Sequence, residues 1–259
     1  MTEILNIVTT ASIAVLGACI GSFVNASSLR WANNISFVCG RSYCPFCKGV
    51  IKWFDLVPVV SWLILAGRCR ACKVRISPRY VLAELISAFI FALCYIKFGF
   101  TWMTIVSILI ASVLLAISLV DLNTTEIPNT LTAALIPLTL ATIWLQPDIY
   151  LTSRIIGFFA ISLPMLLLAL AIKGAFGGGD IKLMAVCGFL LGWQSIILAF
   201  FVATILGSAW AIYLLAKGMR KRNEHMVFGP ALATGTFISM LFGREIVGWY
   251  LGLLAPTVF

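Results

Sequence analysis

The sequence has few charged side chains and a single histidine. Only 10% of its 259 residues are Asp, Glu, Lys or Arg, whereas 62% are hydrophobic. Soluble domains are about 45–50% apolar, so this composition excludes an ordinary soluble protein. Because His225 is the one histidine, a catalytic metal bound by histidines is nearly excluded. Any Ser-His-Asp or Cys-His catalytic arrangement would depend on this residue alone. His225 lies in a basic run, where a solvated loop residue is expected.

Several familiar signals are also missing. The first apolar run begins after Glu3 and has no basic n-region and no obvious cleavage site, so it is interpreted as an uncleaved span and not a signal peptide. The chain has no low-complexity tract, no convincing repeat and no Rossmann-type glycine motif after a strand. These absences leave an integral membrane protein with one polar insertion.

Long apolar runs fill most of the chain. Runs of about 17–25 residues are long enough to cross a bilayer as helices. The sequence therefore predicts an all-α polytopic membrane protein with about eight transmembrane helices, of which the sixth and eighth are short. The predicted spans are Ile4 to Leu29, Tyr80 to Lys97, Thr101 to Val120, Thr130 to Leu145, Arg154 to Ile172, Ile181 to Leu191, Ser195 to Ala216 and Pro230 to Phe242.

Positive charges are concentrated on alternate loops. Nine of the eighteen Lys and Arg lie between Arg30 and Arg79, and four more lie between Lys217 and Arg222. With Lys173 and Lys182, fifteen fall on one predicted side of the membrane, whereas Arg154 is among the few on the other. Cytoplasmic loops carry such an excess, so both chain ends are predicted to lie outside. The net charge of +9 thus indicates membrane orientation and not a nucleic-acid partner.

The polar insertion divides the chain into a first span at residues 1–29, a cytoplasmic subdomain at 30–79 and a helical core at 80–259. Two C-x-x-C pairs lie in the subdomain, the arrangement of two zinc knuckles that offer four thiolates to one structural Zn²⁺. A disulfide would need an oxidising compartment, and redox chemistry or bare thiols remain alternatives. Cys39 is a possible substitute ligand, and the other three cysteines are expected to be small buried hydrophobes. The four knuckle cysteines are Cys44, Cys47, Cys69 and Cys72.

Between the knuckles, the stretch from Trp53 to Gly67 is apolar but too short to span the membrane. It is expected either to lie on the membrane surface or line the site as an amphipathic segment, or to form the small core of the subdomain. The sequence does not decide between these two interpretations.

Two acids stand at predicted helix ends on the cytoplasmic side, Asp121 after the third span and Asp180 before the sixth. A carboxylate at the edge of a hydrocarbon layer is costly, so such acids are functional candidates. Two neighbouring carboxylates share a proton and can act as base and acid in hydrolysis of a peptide bond. Gly177, Gly178 and Gly179 would let the backbone approach a substrate and take unusual dihedral angles. Alternatively, Asp180 merely caps a helix and Asp121 solvates a helix end.

The chain resembles the type IV prepilin leader peptidases, a family of aspartyl proteases with a G-x-G-D motif. The resemblance runs nearly end to end. It rests on Gly21-Ser22-Phe23-Val24-Asn25, Arg41-Ser42-Tyr43-Cys44-Pro45-Phe46-Cys47, Gly67-Arg68-Cys69, Ile76-Ser77-Pro78-Arg79-Tyr80 with Glu84, Asp121 with Ile127-Pro128, Gly177-Gly178-Gly179-Asp180-Ile181-Lys182-Leu183, Gly192-Trp193 and Phe228-Gly229-Pro230. Asn129 departs from the family, because an acid often follows the Ile-Pro pair.

The resemblance implies a bacterial inner-membrane enzyme that removes the short basic leader of prepilins or pilin-like secretion subunits after a glycine. It also implies N-methylation of the new terminus with S-adenosylmethionine. Catalysis is carried over to Asp121 and Asp180, with the three glycines and Lys182 beside the substrate. Asp55 and Glu84 are candidates for the methyl-transfer site, although Glu84 is equally expected to be a buried partner of Lys182 or of an arginine.

Two other classes remain open. A transporter with eight helices and a structural zinc loop would also contain intramembrane acids, but those usually lie near the bilayer midplane. A zinc-dependent sensor or redox protein would use the cysteines and leave both aspartates without a role. Cleavage of a prepilin-like peptide would separate these classes from a protease.

Overall fold

A computed structural model shows an all-helical chain, and it describes residues 2–33, 42–172, 174–218 and 227–254. His225 and Cys39, which the sequence analysis singled out, lie outside the described residues. The chain divides into two compact units, Met1–Ile108 and Leu109–Phe259.

The first unit holds one long helix, the cysteine-bearing segment and a second long helix. Its elements are α1 (Thr2–Ala32), a 3₁₀ turn (Trp53–Leu56), α2 (Val60–Ile64), α3 (Arg79–Phe98) and the start of α4 (Trp102–Thr124). Helices α1 and α3 approach closely because Gly21 has no side chain: a Cβ there would lie 2.6 Å from the Cβ of Ser87. Cys19, two residues earlier, lies on the exposed side of α1, so its expected burial is wrong, whereas Cys94 and Cys187 are buried as expected.

Over its described residues, the second unit begins within α4 and continues through six more helices. They are α5 (Asn129–Leu145), α6 (Leu151–Ala160), α7 (Ser162–Ala171), α8 (Gly178–Leu191), α9 (Trp193–Ala216) and α10 (Gly229–Leu254). The fifth predicted span is therefore two helices, and Pro164 in the first turn of α7 lacks an N–H for the carbonyl of residue 160. Gly192, with φ of +77°, separates α8 from α9 at the predicted tight turn.

These helices confirm an all-α polytopic membrane protein. Within the described residues, five segments are long and apolar enough to cross a membrane, and α5 is a shorter apolar helix of 17 residues. The eighth predicted span ends too early, because α10 continues beyond Phe242 as one helix of 26 residues. The five segments are Glu3–Ala32, Arg79–Phe98, Trp102–Thr124, Leu151–Ala171 and Trp193–Ala216.

Arg154 is fully buried, although the sequence analysis placed it at the outer end of a span. Its guanidinium donates to the carbonyls of Thr142 and Gln146 at the end of α5, and of Phe189 and Leu190 at the end of α8, at 3.0–3.3 Å. Helix ends leave carbonyls without partners, and the five donors of one arginine can satisfy several of them. Arg154 therefore ties the last turn of α8 to α5, at the opposite end of α8 from Asp180.

Candidate active site and metal centre

Asp121 lies in the last turn of α4, and only 4% of its surface is exposed. Its Oδ2 accepts a hydrogen bond of 2.8 Å from the backbone N–H of Gly229, the first residue of α10. The first N–H groups of a helix have no partner within it and carry a partial positive charge. The start of α10 is thus a fixed donor for the Asp121 carboxylate.

The close contact between residue 229 and Asp121 requires glycine. A Cβ at position 229 would lie 2.6 Å from Oδ2 of Asp121 and 3.0 Å from its Cγ, closer than real Cβ atoms approach other atoms without a shift. Only glycine leaves the carboxylate in its present position.

Asp180 is the third residue of α8 and is half-buried. Its Oδ2 accepts a hydrogen bond of 3.3 Å from the N–H of Gly177, the residue that caps α8. Each aspartate therefore binds a backbone N–H at the start of a helix, α10 for Asp121 and α8 for Asp180.

Two contacts join the start of α8 to the residues that follow Asp121, and a third joins it to the start of α10. A Cβ at Gly179 would lie 2.8 Å from the Cβ of Ile127, so α8 touches that loop through its backbone. Nζ of Lys182 donates to Oδ1 of Asn129 at 2.9 Å. The rings of Phe176 and Phe228, which precede α8 and α10, have centroids 6.4 Å apart.

The two carboxylates consequently share one region of the second unit. Both acids thus lie where the starts of α8 and α10 approach the end of α4, and that they act as a pair stays a prediction.

The glycines before Asp180 take ordinary backbone angles, contrary to expectation. Gly177 is extended, with φ of −72° and ψ of 143°, and none of the residues 177–179 has a positive φ. Gly178 is exposed, and a Cβ there would meet no atom within 4 Å. At Gly179 glycine is needed for a steric reason, because a side chain there would collide with Ile127.

Sequence reasoning assigned no role to Gly229 and treated Asn129 only as a departure from the family. The available signal was the Phe228-Gly229-Pro230 stretch: proline favours the first turn of a helix, which predicts a helix start there. Lys182 was a possible partner for Glu84, but it binds Asn129.

The four knuckle cysteines form one cluster. Their sulfur atoms all lie within 4.8 Å of one another, and Sγ of Cys44 is 3.8 Å from Sγ of Cys72. Four thiolates at about 2.3 Å from a tetrahedral ion would be separated by about 3.8 Å. The backbone N–H groups of Cys47 and Phe46 donate to the Cys44 sulfur and lower its pKa to about 7, which favours the thiolate form that binds metals. The cluster could therefore hold a metal ion.

The two knuckles repeat the same turn. In the first, the N–H of Lys48 donates to the carbonyl of Cys44 at 2.8 Å, and in the second the N–H of Lys73 donates to the carbonyl of Cys69 at 3.0 Å. Lys48 and Lys73 both have positive φ, 56° and 59°. This repeated turn directs both sulfur atoms of each pair toward the same point.

Asp55 and Glu84 are both engaged by groups of the chain. The carboxylate of Asp55 accepts hydrogen bonds from Nε and Nη2 of Arg70 at 2.6–3.1 Å, and these bonds lower its pKa. Glu84, which is buried as expected, accepts a hydrogen bond of 2.7 Å from the backbone N–H of Val59.

Comparison with known families covers both units. Residues 15–98 match the family described as Bacterial Peptidase A24 N-terminal domain, which takes in the cysteine cluster. Residues 108–212 match the family described as Type IV leader peptidase family, which takes in both aspartates. No solved structure matches the chain.

Several curated proteins are similar over most of the chain, and each is named prepilin leader peptidase/N-methyltransferase. The Bacillus subtilis (strain 168) protein is 31% identical over 237 residues, which cover 92% of this chain and 96% of that protein. The Aeromonas salmonicida (strain A449) protein is 33% identical over 219 residues, 83% of this chain and 75% of that protein. The Neisseria gonorrhoeae protein is 29% identical over 271 residues, with coverage of 92% and 93%. With these similarities over both of its units, the chain belongs to the type IV leader peptidase family.

Proposed function

We propose that this protein is a membrane-embedded aspartyl endopeptidase that removes the short basic leader of prepilins or pilin-like secretion subunits. Cleavage follows a glycine on the cytoplasmic side of the substrate's apolar helix. The observation that carries the proposal is the pair Asp121 and Asp180, held by the starts of α10 and α8 in one region of the second unit.

In the proposed mechanism, the two carboxylates hold one proton between them, because two close negative charges repel. The ionised carboxylate takes a proton from a water molecule, whose oxygen attacks the scissile carbonyl carbon. The protonated carboxyl gives its proton to the carbonyl oxygen. When the tetrahedral intermediate collapses, the C–N bond breaks and the amine leaves with a proton from the pair. A hydroxyl group of the intermediate returns a proton to the pair, which restores its starting state. The proton belongs to the pair, so neither aspartate is assigned a fixed role.

The substrate segment must be extended at the cleavage point, because a helical peptide bond is enclosed by its own hydrogen bonds. Gly177 and Gly178 are exposed beside Asp180, so the backbone there is open to an extended chain. Lys182, two residues after Asp180, donates a hydrogen bond to Asn129. This bond holds the beginning of α8 against the start of α5.

For the cysteine cluster we propose a structural Zn²⁺ held by Cys44, Cys47, Cys69 and Cys72. The sulfur spacing fits a tetrahedral ion, and four thiolates leave no open position for a substrate. Such an ion would stabilise a segment with little apolar core of its own. No step of peptide hydrolysis passes through it.

N-methylation of the new terminus, with S-adenosylmethionine as methyl donor, is the second proposed activity, and the relatives' names support it. Asp55 and Glu84 do not fit as ready ligands of the donor: one is bound to Arg70 and the other to the backbone of Val59. We therefore assign no residue to the methyl-transfer step. From the family and the charge asymmetry, we also propose that the protein lies in the bacterial inner membrane with both chain ends outside.

The test is incubation of the purified protein with a full-length prepilin that carries a basic leader, glycine at the cut and an apolar helix, followed by mass spectrometry of the new N-terminus. Asp121→Asn and Asp180→Asn are expected to lower the cleavage rate about 10³-fold or more while the protein remains inserted and folded. Asp148→Asn is the matched control, because Asp148 is an exposed acid paired with Arg244.

Undiminished cleavage by either site variant would contradict the protease mechanism. Immediate loss of activity on addition of a chelator would indicate a catalytic metal, whereas the proposal predicts slow loss as the subdomain loosens. A cleaved but unmethylated product, with S-adenosylmethionine present, would refute only the methyl-transfer proposal.

A further inference from the structure

Within the part of the chain that the structure describes, the segment from Trp53 to Ile64 exposes large apolar side chains. The exposed fractions are 81% for Trp53, 63% for Leu63, 73% for Ile64 and 50% for Val60. The sequence analysis left open whether this stretch is the core of the subdomain. Such exposure is incompatible with a core, so these side chains need another apolar environment.

The exposed side chains share one face of α2. Val60, Leu63 and Ile64 are spaced at i, i+3 and i+4, which places them together on a helix. The opposite face packs inward: the Trp62 ring lies 2.8 Å from where a Cβ of Gly67 would be, and its Nε1–H donates to the carbonyl of Ile76 at 3.4 Å. Helix α2 is therefore attached on one side and apolar on the free side.

One hydrogen bond fixes the depth of this segment relative to α3. The backbone N–H of Val59, immediately before α2, donates to Oε2 of Glu84 at 2.7 Å. Glu84 follows Arg79, the first residue of α3, by five residues, roughly 7.5 Å along the helix axis. A helix of 20 residues spans about 30 Å, the thickness of the hydrocarbon layer. With α3 spanning this layer, Val59 is held within roughly 7.5 Å of the layer's edge.

The conformation of Val59 supports a fixed attachment. Its φ of 62° is unusual for a β-branched residue, and such strain persists only where the surroundings enforce it. The hydrogen bond to Glu84 is one of the contacts that hold Val59 in this conformation.

Cations border the apolar face. The Lys52 ammonium lies 5.6 Å from the centroid of the Phe54 ring, and the Arg70 guanidinium lies 5.3 Å from the same ring. Phe54 in turn packs edge-to-face with Trp53 at 5.7 Å. Aromatic rings beside Lys and Arg are typical of segments at the membrane interface, where cations meet anionic lipid phosphates.

We propose that Trp53–Ile64 is an in-plane membrane anchor of the cysteine-bearing subdomain, and that its ligand is the surface of an anionic bilayer. The apolar side chains of Trp53, Val60, Leu63 and Ile64 enter the acyl boundary, and Lys52 lies among the headgroup phosphates. Depth and charge favour lipid over a protein partner, because the bond to Glu84 holds Val59 near the start of α3 and cations border the apolar side chains. The proposal does not depend on the protease mechanism.

The test uses the full chain in vesicles of phosphatidylethanolamine and phosphatidylglycerol with radiolabelled acyl chains. The photoreactive residue benzoylphenylalanine replaces Trp53 or Ile64, one site per protein. Phe89, 64% exposed in the middle of α3, is the positive control, and the exposed Lys73 on the second knuckle is the negative control. Sites 53 and 64 are expected to label acyl chains within about threefold of site 89, and site 73 at about a tenth or less.

Adducts of sites 53 and 64 with a second copy of the chain or with added prepilin, in place of lipid, would overturn the proposal. Labelling at site 53 should fall severalfold when phosphatidylcholine replaces both lipids, and unchanged labelling would refute the role of Lys52. Leu63→Ser with Ile64→Ser should also lower labelling at site 53. Val50→Ser is the matched control, because Val50 is an exposed apolar residue on the first knuckle.

Discussion

Gly229→Ala is a specific test of how the Asp121 carboxylate is held. The added methyl group would lie 2.6 Å from Oδ2 of Asp121, whereas ordinary contacts begin at 3.4 Å, so the carboxylate must move by about 0.8 Å. The backbone at residue 229 is helical, and alanine is favoured over glycine in helices by up to about 1 kcal/mol, so the substitution should not destabilise α10.

The displacement should act on cleavage and not on folding. Loss of a hydrogen bond to a charged group costs about 1.5–3 kcal/mol, which corresponds to a rate lower by about 10- to 150-fold. Displacement of a reacting group by about 1 Å independently predicts a loss near 10²-fold. The two estimates agree, and the expected loss is about two orders of magnitude.

The assay is the initial rate of leader removal from a prepilin, with thermal unfolding measured on the same preparations. Gly248→Ala is the matched control: it is the same change in the same helix, at a position where a Cβ meets no atom within 4 Å. A cleavage rate for Gly229→Ala within twofold of the Gly248→Ala rate would refute the inference that Gly229 positions Asp121.

Three further predictions concern other contacts. Gly179→Ala places a methyl group 2.8 Å from the Cβ of Ile127, displaces the start of α8 and should lower the cleavage rate at least about 10-fold with substrate saturating. Arg154→Met removes the donors of several buried carbonyls and should lower the unfolding temperature by about 10 °C, whereas Arg244→Gln, in an exposed ion pair, should change it by less than about 3 °C. Cys72→Ser should abolish stoichiometric bound metal, measured by elemental analysis, and make the subdomain sensitive to protease.

The broad architecture could be predicted because it depends on local patterns. Apolar runs predicted the helices, and two C-x-x-C pairs predicted the cysteine cluster, since a short turn brings both sulfur atoms of a pair together. The juxtaposition of Asp121 and Asp180 was predictable for a different reason. Asp121 closes one predicted span and Asp180 opens another, and both ends lie on the same predicted side of the membrane.

Other features depend on contacts that no local pattern records. Gly229 and Asp121 are 108 residues apart, and only the folded chain shows that one donates to the other. Arg154 was placed at the outer end of a span because it begins the fifth apolar run of the sequence. Its partners are backbone carbonyls of two helix ends, which the sequence does not identify.

The end of α10 was missed for a related reason. Arg244 and Glu245 interrupt its hydropathy, so the apolar run ends at Phe242 although the helix does not. Arg244 pairs with Asp148, which offsets the cost of its charge.

The proposed pairing of Asp121 with Asp180 is tested most directly by a double-mutant cycle on prepilin cleavage. Asp121→Asn, Asp180→Asn and the double variant should all be slower than the wild type by about the same factor, because residues that act as one unit are lost together. A single variant that keeps more than about a tenth of the wild-type rate, or a double variant slower by the product of the two single factors, would contradict a proton-sharing pair.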